Sequence, residues 1–588
     1  MIRIKKPSLL FKIILFIFFL IIFKTYNDYV GLKIILSAAL SYSFVEVGKY
    51  VKDSIKKSDI KYILCLILVL FVFYFPLISN GYFFHDDYFL FPGTDINFFK
   101  FSLSQGRPII GNFTDIFYWV TVDTSFILRI ISIFGAIASS LLIFLYVKQN
   151  SSKKTAIIFS ILLVTTIPFV NLVSYNSMFI YTWAIMLSIF SAIQYEQYLS
   201  TKNIIHLLNS FICLLVAFLI YQVVTTIAFI IIFLKIVLSK KKDNTFYKSL
   251  LYIGLYLLTT ITYYLFVKTI NSIYSIQFLT RSNFVEIGNV FQKIEWFFQV
   301  VIPQSLNQIM QSFTSIFFFN EPYSIGTLSY RHNTFGIVIA ILFCLIIIIG
   351  FIRIYKIHKN RVFILLLLIP LSYIFFLILE ETGFTSYYAV GIVSILMIML
   401  LCGLISIYEL FSKSNLFQYG IYLIVLLIVL VGLNNQYYMT SFWLNNSKDY
   451  YYLKKTIQLQ LQVNPNKINN IHVFGTLFPL DADIYAISAV KLALNDLKIS
   501  QSEYHITNSN SEYQINTIDA SEAIKNKLKE LPNEELSKFN KYYEFNKTFG
   551  IYILSKGIEK NDIQFFTGLL QKFEIVPKTL EDTLFIYL

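Results

Sequence analysis

Charged residues are scarce in this sequence. Of its 588 residues, 14% are charged, whereas 56% are hydrophobic and 18% are aromatic. One water-soluble core of this length does not need so many apolar side chains, so a soluble enzyme is nearly excluded. The apolar residues also form blocks of about 17 to 24, which is long enough for helices to cross a bilayer. We therefore expect a polytopic membrane protein.

Cysteines and nucleotide-binding motifs are also scarce. The four cysteines, Cys65, Cys213, Cys344 and Cys402, lie far apart inside apolar blocks, so neither a disulfide framework nor a zinc site is indicated. The tail from Ser441 contains no Walker sequence, glycine-rich nucleotide motif or nucleophile elbow. The net charge of +14 comes from Lys and Arg beside apolar blocks. Such residues are topology signals, and we infer no nucleic-acid partner.

The apolar blocks predict about thirteen transmembrane helices. The first ends near Phe23 and resembles a signal peptide, but no small-residue cleavage site follows it, so we expect it to be retained as an anchor. The other spans are predicted near 31–47, 61–79, 124–147, 155–174, 177–198, 204–222, 223–238, 248–270, 335–352, 362–379, 388–410 and 415–433. The stretch 204–238 could be one long helix or a hairpin that turns at Tyr221-Gln222.

The positions of the lysine and arginine clusters favour the hairpin over one long helix. With a turn at Tyr221-Gln222, the basic clusters near 49–57, 148–154, 240–242 and 353–361 all fall on alternate connections. Short connections rich in Lys and Arg face the cytoplasm. The opposite connections, at about 80–123, 271–334 and 380–387, and the tail, are then extracytoplasmic.

The two long outward loops contain helical patterns. Apolar residues recur at helical spacing from Asn283 to Pro303, and a shorter pattern of the same kind runs through Ile96, Phe99 and Leu103. We expect interfacial helices that either wall a cavity at the membrane surface or pack on neighbouring spans. The transmembrane domain is predicted to cover residues 1–440.

The composition changes at about Ser441, where Asn, Lys, Glu and Ser become frequent. We expect residues 441–588 to form a small extracytoplasmic α/β domain. Strands are predicted at 471–474, 550–554 and 583–588, and helices at 481–497, 519–531 and 559–573. Asp519 and Glu522 have capping-box spacing at the start of the second helix.

The densest polar group outside the tail is His85-Asp86-Asp87, just beyond the outer end of the third predicted span. Adjacent carboxylates have pKa values that are pushed apart, so one can act as a general base beside the other. We expect Asp86 and Asp87 to be catalytic, with His85 as a substrate contact; the alternative is a solvated turn. Any divalent cation, Mg²⁺ or Mn²⁺, would be held by the same two carboxylates.

Cations and further polar groups on the outward side complete the candidate site. Arg107 follows a glycine in the same loop as the acid pair, and arginine binds phosphate oxygens in bidentate fashion. Arg129 lies a few residues inside the fourth span, where it either lines a polar cavity or snorkels to the interface. The remaining expected substrate-binding residues are Asp115, Gln222, Arg281, Arg331 and the acid pair Glu380-Glu381, which has an ordinary helix end as its alternative.

Over residues 61–450 the sequence resembles the Gtr-type bacterial glucosyl transferase family. The resemblance is carried by the acid pair after an early span, Gly106-Arg107-Pro108, the Tyr221-Gln222 hairpin and the outward tail. It implies a GT-C-like glycosyltransferase fold. It also implies that Asp86 and Asp87 carry catalysis and that Arg107 contacts the donor or loop structure.

The resemblance gives a specific expected function. These enzymes transfer a sugar, here expected to be glucose from undecaprenyl phosphate, to a cell-surface polysaccharide of the O-antigen or teichoic-acid type. The expected place is the extracytoplasmic face of a bacterial plasma membrane. Two rivals remain: a flippase for lipid-linked sugars, which should carry polar residues or paired broken helices within its spans, and a polysaccharide polymerase or ligase.

Overall fold

The computed structural model is mostly helical in the residues that it describes. These are 30–79, 81–83, 98–111, 120, 122–238, 245–277, 285, 287–303, 305, 334–359, 368, 370–378, 390–410, helical residues between 425 and 459, and 470–474, 490–494, 497, 505–509, 517–519, 528–546, 551–554 and 583–587. The chain divides into two compact units. The first comprises Met1–Tyr82 and Ile96–Phe442, and the second comprises Phe83–Asp95 and Trp443–Leu588.

The first unit is a helical bundle. Its described helices are α1 (Val30–Ser54), α2 (Ile60–Ile78), α3 (Phe98–Ser104), α4 (Phe126–Val147), α5 (Lys153–Val164), α6 (Ile167–Ser174), α7 (Tyr181–Thr201), α8 (Ile204–Ile220), α9 (Phe229–Leu238), α10 (Thr245–Ile273), α11 (Val290–Trp296), α12 (Thr334–His358), α13 (Ile374–Ile378) and α14 (Val390–Leu410). Short 3₁₀ turns precede α2, α7, α9 and α11, and a π-helical turn, Phe297–Val301, follows α11.

The bundle is suited to a bilayer. Within the described residues, six helices are long and apolar enough to span a membrane, and a bent pair raises the number to seven. Two shorter apolar helices, Ile204–Ile220 and Val223–Leu238, add to them. The predicted spans ending near Phe23 and at 415–433 lie wholly or largely outside the described residues, and the predicted span 362–379 is described at 368 and 370–378. The described part of the first unit is thus an all-α membrane unit.

One end of the bundle is built around lysines, and we call it the lysine end. The carboxylate of Asp59, just before α2, binds Lys148 after α4 and lies 2.8 Å from the Nζ of Lys153 at the start of α5. Lys148 also donates to the carbonyl of Ser54 at the end of α1 (2.8 Å). Asp59 is 1% exposed and Lys153 is partly exposed, so this ion cluster joins four helix ends around a buried carboxylate.

The structure confirms the predicted reversal at Tyr221-Gln222. Helix α8 stops at Ile220 because Tyr221 is extended (φ −162°, ψ 116°), and a 3₁₀ turn leads into α9. The Nζ of Lys235 in α9 then lies 3.2 Å from the carboxylate of Glu196, near the end of α7. Helix α8 begins beside that end of α7, so α9 has returned to the level at which α8 started.

The prediction of one continuous helix over residues 155–174 is wrong in one respect. Its two halves, α5 and α6, meet at an angle of 58°. Pro168 lies in the first turn of α6, where proline favours a new helix start and lacks the N–H that a continuous helix would need. The buried hydroxyl of Tyr74 donates to the carbonyl of Val164 at the break, which satisfies a group that the bend leaves without a helical partner.

The predicted interfacial helix between 283 and 303 is shorter than expected, since the regular helix starts only at Val290. Its apolar residues separate into two faces. Phe297 and Val301 are buried, whereas Phe291 is 85% exposed and Phe298 is 64% exposed. The ring of Phe297 packs edge-on against Tyr373 (5.6 Å between centroids), which ties this segment to the chain just before α13.

The described residues of the second unit form two three-stranded sheets. The parallel sheet has the order β2 (His505–Ser509), β1 (Asn470–Phe474), β6 (Thr583–Tyr587), and the antiparallel sheet has the order β3 (Thr517–Asp519), β5 (Ile551–Leu554), β4 (Tyr543–Asn546). Strands β1, β5 and β6 lie where strands were predicted. The helix α15 (Asn533–Tyr542) was not predicted.

The predicted helix start at Asp519 is wrong. Asp519 is the last residue of β3 and pairs with Ile551 of β5 in the antiparallel sheet. The capping-box spacing of Asp519 and Glu522 is a local signal, and pairing with a strand more than thirty residues away has overridden it.

Candidate functional site

The Gln105-Gly106-Arg107 turn ends helix α3 in a Schellman motif. The N–H of Gly106 donates to Leu103 O (2.9 Å), and the N–H of Arg107 donates to Ser102 O (2.7 Å). Gly106 adopts φ +73°, the left-handed conformation that this motif requires and that glycine adopts without strain. Arg107 therefore emerges from a turn whose backbone is fixed by its own hydrogen bonds.

A tyrosine of helix α10 holds this turn by hydrogen bonds. The hydroxyl of Tyr263 donates to Gly106 O (2.9 Å) and accepts a hydrogen bond from the side-chain amide of Gln222. The same amide nitrogen of Gln222 donates to Gln105 O (3.3 Å). A Cβ atom at Gly106 would collide with the Tyr263 hydroxyl, so glycine is needed for close approach as well as for φ.

The guanidinium of Arg107 lies in a polar and aromatic cradle. Its Nη1 donates to Gln105 Oε1 (2.8 Å) and to the hydroxyl of Tyr181 (3.3 Å). The guanidinium carbon is 4.3 Å from the centroid of the Tyr221 ring, and that ring stacks on Tyr181 at 4.1 Å. A cation on the face of an aromatic pair is held in orientation as well as in position.

Gln222 was predicted to bind substrate, and in the structure its side chain is buried and contacts other residues of the protein. It is 5% exposed, and its amide nitrogen is occupied by Gln105 and Tyr263. These contacts make Gln222 a support for the Arg107 turn. A direct contact between Gln222 and a substrate stays a prediction.

Arg129 neither snorkels nor faces solvent. It is fully buried, and its guanidinium donates to Leu77 O (2.6 Å), Tyr82 O (3.0 Å), Asn176 Oδ1 (3.0 Å) and Ser125 Oγ (3.2 Å). The guanidinium also lies 3.9 Å from the centroid of the Tyr82 ring. The snorkelling alternative is thus wrong, and these contacts favour a clamp over a phosphate ligand.

The clamp fixes the chain at Gly81-Tyr82. The carbonyl of Tyr82 accepts hydrogen bonds from Arg129, from Asn176 Nδ2 (3.0 Å) and from Ser125 Oγ (3.0 Å). A Cβ atom at Gly81 would lie 2.5 Å from Val122 O, so a larger residue would displace this backbone. In sequence, Tyr82 precedes Asp86 by four residues.

The Arg107 turn and the Tyr82 clamp lie at the same end of the bundle. Helix α4 carries Arg129 in its first turn and is followed by Lys148 at the lysine end. The indole of Trp183 in α7 donates to Ile131 O (3.1 Å), so α7 starts beside the start of α4. Asn176, just before that start, contacts Arg129, and Tyr181, the first residue of α7, contacts Arg107. We call this end the arginine end.

The other candidate residues lie outside the described residues. They are His85, Asp86, Asp87, Asp115, Arg281, Arg331, Glu380 and Glu381, so their predicted roles stay predictions. Among the residues that the structure does describe, no group of three His, Cys, Asp or Glu side chains could hold a metal ion.

Sequence reasoning missed the supporting residues. Tyr181, Tyr263 and Asn176 were not among the predicted site residues, although each contacts Arg107, its turn or Arg129. The aromatic-rich face of α10 was the available signal, since Tyr252, Tyr256 and Tyr263 are spaced at helical intervals within an apolar span. A tyrosine hydroxyl inside a membrane needs a partner, and here each partner is remote in sequence.

The comparisons add no family assignment. No family model matches this sequence, and no curated protein matches it. Functional inference therefore depends on the motifs and on the geometry just described.

Proposed function

We propose that this protein is a GT-C-like membrane glycosyltransferase that takes a sugar from a polyprenyl-phosphate donor. The sugar is glucose, and the acceptor is a cell-surface polysaccharide of the O-antigen or teichoic-acid type. The protein acts at the extracytoplasmic face of a bacterial plasma membrane. Residues 441–588 form its small extracytoplasmic α/β domain.

One observation carries this proposal. The arginine end holds both a half-buried guanidinium, that of Arg107, and the clamped backbone of Tyr82, four residues before Asp86. A lipid-phosphate donor needs a cation for its phosphate and a base for the acceptor at one membrane surface. The lysine end is rich in cations beside helix ends, which is typical of a cytoplasmic side, so the arginine end is extracytoplasmic in this proposal.

The proposed reaction is an inverting displacement. A hydroxyl oxygen of the acceptor attacks the anomeric carbon of the donor sugar, and its proton passes to the carboxylate of Asp86 or Asp87. The bond between the anomeric carbon and the phosphate oxygen breaks, and polyprenyl phosphate leaves. Arg107 stabilises the charge on that phosphate through charge-assisted hydrogen bonds, each worth about 1.5 to 3 kcal/mol. If a divalent cation takes part, Asp86 and Asp87 are its ligands.

The test is transfer by the purified protein. Detergent-solubilised protein is given undecaprenyl-phosphate glucose and a glycan acceptor, and the glycosylated acceptor is measured. Loss of a general base costs about 10² to 10⁴ in rate, so Asp86→Asn or Asp87→Asn should lose activity by that factor. Asp123→Asn is the matched control, because Asp123 is exposed in the turn before α4. Wild-type rates for both Asp86→Asn and Asp87→Asn would refute the active-site proposal.

A transporter of lipid-linked sugars is the second candidate, and the break between α5 and α6 favours it. Broken helices in membrane transporters form substrate sites near the middle of the bilayer. The same assay separates the two functions, since a transporter makes no glycosylated product in detergent. A polymerase or ligase would instead require a lipid-diphosphate oligosaccharide as donor.

A further inference from the structure

Two side chains in the C-terminal half of α10 bind the end of helix α3 and the turn that follows it. The amide of Asn271 donates to Leu103 O (3.2 Å), and the hydroxyl of Tyr263 donates to Gly106 O (2.9 Å). The last carbonyls of a helix have no partner within the helix. Helix α10 supplies partners for carbonyls at the end of α3 and in the turn that follows.

Of these two contacts, that of Tyr263 lies closest to Arg107 along the chain. Gly106 is covalently joined to Arg107, and its carbonyl belongs to the peptide group that links the two residues. Tyr263 also accepts the hydrogen bond from Gln222, and Gln222 binds the carbonyl of Gln105. The Tyr263 hydroxyl therefore binds the Gly106 peptide group directly and is linked through Gln222 to the Gln105 peptide group.

We propose that Tyr263 is a positioning residue that sets the guanidinium of Arg107. Its hydroxyl holds the Gly106 peptide group, and the turn then directs Arg107 into the cradle of Gln105, Tyr181 and Tyr221. The positioning follows from the described contacts alone. Its effect on donor affinity, however, rests on the proposed role of Arg107 as the ligand of the donor phosphate.

Helix α10 offers a matched control. Tyr256 is buried, as Tyr263 is, and its hydroxyl bonds to Thr225 Oγ1 (2.7 Å). It lies about two helical turns from Tyr263 on the same helix and has no described contact with residues 105–107. Tyr256→Phe and Tyr263→Phe each remove one buried hydroxyl from α10, so a general loss of packing or stability should affect both variants alike.

The first experiment measures the reactivity of Arg107 without any substrate. Purified wild-type, Tyr263→Phe and Tyr256→Phe proteins are treated with phenylglyoxal, and modification of each arginine is followed by peptide mass spectrometry. Loss of one ordinary hydrogen bond should raise the modification rate of Arg107 in Tyr263→Phe by about fivefold. The rate should be unchanged in Tyr256→Phe, and modification of Arg353 should be unchanged in all three proteins.

Two outcomes of this experiment would overturn the proposal. One is an Arg107 rate that is the same in Tyr263→Phe as in the wild type. The other is a rise that is equal in Tyr256→Phe or that includes Arg353, because it would report general loosening of the bundle.

The second experiment is a double-mutant cycle on the Michaelis constant for undecaprenyl-phosphate glucose. Tyr263→Phe should raise this constant by about fivefold, and it should have no effect once Arg107 has been replaced by alanine, because coupled residues are not additive. Equal effects in both backgrounds would overturn positioning through Arg107. If phenylglyoxal reactivity changes but Arg107→Ala leaves the donor constant unaltered, positioning is upheld and the proposed phosphate role of Arg107 fails.

Discussion

Arg129→Lys is the substitution that best tests how the arginine end is built. A snorkelling arginine tolerates lysine, since both side chains can carry a charge to the headgroups. A buried arginine that donates hydrogen bonds from all its guanidinium nitrogens does not tolerate lysine, because the lysine side chain has a single nitrogen. The structure has Arg129 in the second situation.

The expected cost follows from the contacts. The Arg129 guanidinium makes four hydrogen bonds, to acceptors on Leu77, Tyr82, Ser125 and Asn176. An ammonium group cannot span acceptors that bind three different guanidinium nitrogens. Loss of two such bonds to a charged group corresponds to about 3 to 6 kcal/mol, which is a large share of the roughly 5 to 15 kcal/mol that stabilises a typical domain.

The assay is thermal unfolding of the protein in detergent, read as the fraction that stays monodisperse after heating. Arg129→Lys should lower the midpoint by several degrees. Arg353→Lys is the control, since Arg353 is half-buried and the described bond of its side chain is to Ser406 Oγ (3.2 Å); its midpoint should hardly move. Ser125→Ala should show a smaller loss than Arg129→Lys, of about 1 to 3 kcal/mol. An Arg129→Lys midpoint equal to that of the wild type would refute the clamp.

The remaining predictions concern stability elsewhere in the bundle. Gly350→Ala should destabilise by about 1 to 3 kcal/mol, because a methyl group there would collide with the backbone of α14, whereas Gly254→Ala, with open space around it, should be neutral or stabilising in the same thermal assay. Asp59→Asn should lower the free energy of unfolding by about 3 to 5 kcal/mol, because it leaves the buried ammonium of Lys148 without its carboxylate. Replacing Lys148 by methionine in the same protein should restore part of that free energy. A Gly350→Ala protein as stable as Gly254→Ala, or an Asp59→Asn protein as stable as the wild type, would contradict these accounts.

Much of the helical unit could be predicted because its signals are local. Length and apolarity predicted α2 and α4 to within two residues and α7 to within four, and the alternation of lysine clusters predicted the turn at Tyr221. The bend between α5 and α6 was also encoded locally, since proline disrupts a helix interior but is favoured in a first turn, and Pro168 comes two residues after Thr166, the N-cap of α6. The span was predicted from the length of an apolar stretch, which does not register a single proline. For this reason the prediction joined the two helices.

The contacts of the site could not be predicted in the same way. Arg129 was recognised as notable because a lone charge within a span is costly. Its partners Leu77, Tyr82 and Asn176, however, lie about fifty residues away on both sides along the chain, and no periodicity links them to it. Gly106 was recognised as allowing close approach, but the group that approaches it, Tyr263, comes from a helix more than 150 residues later.

The hydroxyls along α10 bear on the choice between transfer and transport. Polar groups inside spans either line a path or bind neighbouring helices. The hydroxyl of Tyr252 bonds to Ser191 Oγ (3.2 Å), that of Tyr256 to Thr225, and that of Tyr263 to Gly106 O. Each hydroxyl thus joins α10 to another part of the bundle, which is what interhelical bonding requires and a water-filled path does not.

The broken helix is the observation that favours transport, but it does not leave its freed carbonyl open to a substrate. The carbonyl of Val164 at the bend between α5 and α6 is satisfied by the buried hydroxyl of Tyr74. In transporters, the backbone groups freed by a break bind ions or substrate. A break that is closed by the protein itself leaves that carbonyl occupied. Within the described residues, the polar groups therefore favour a fixed scaffold over a moving path through the bundle.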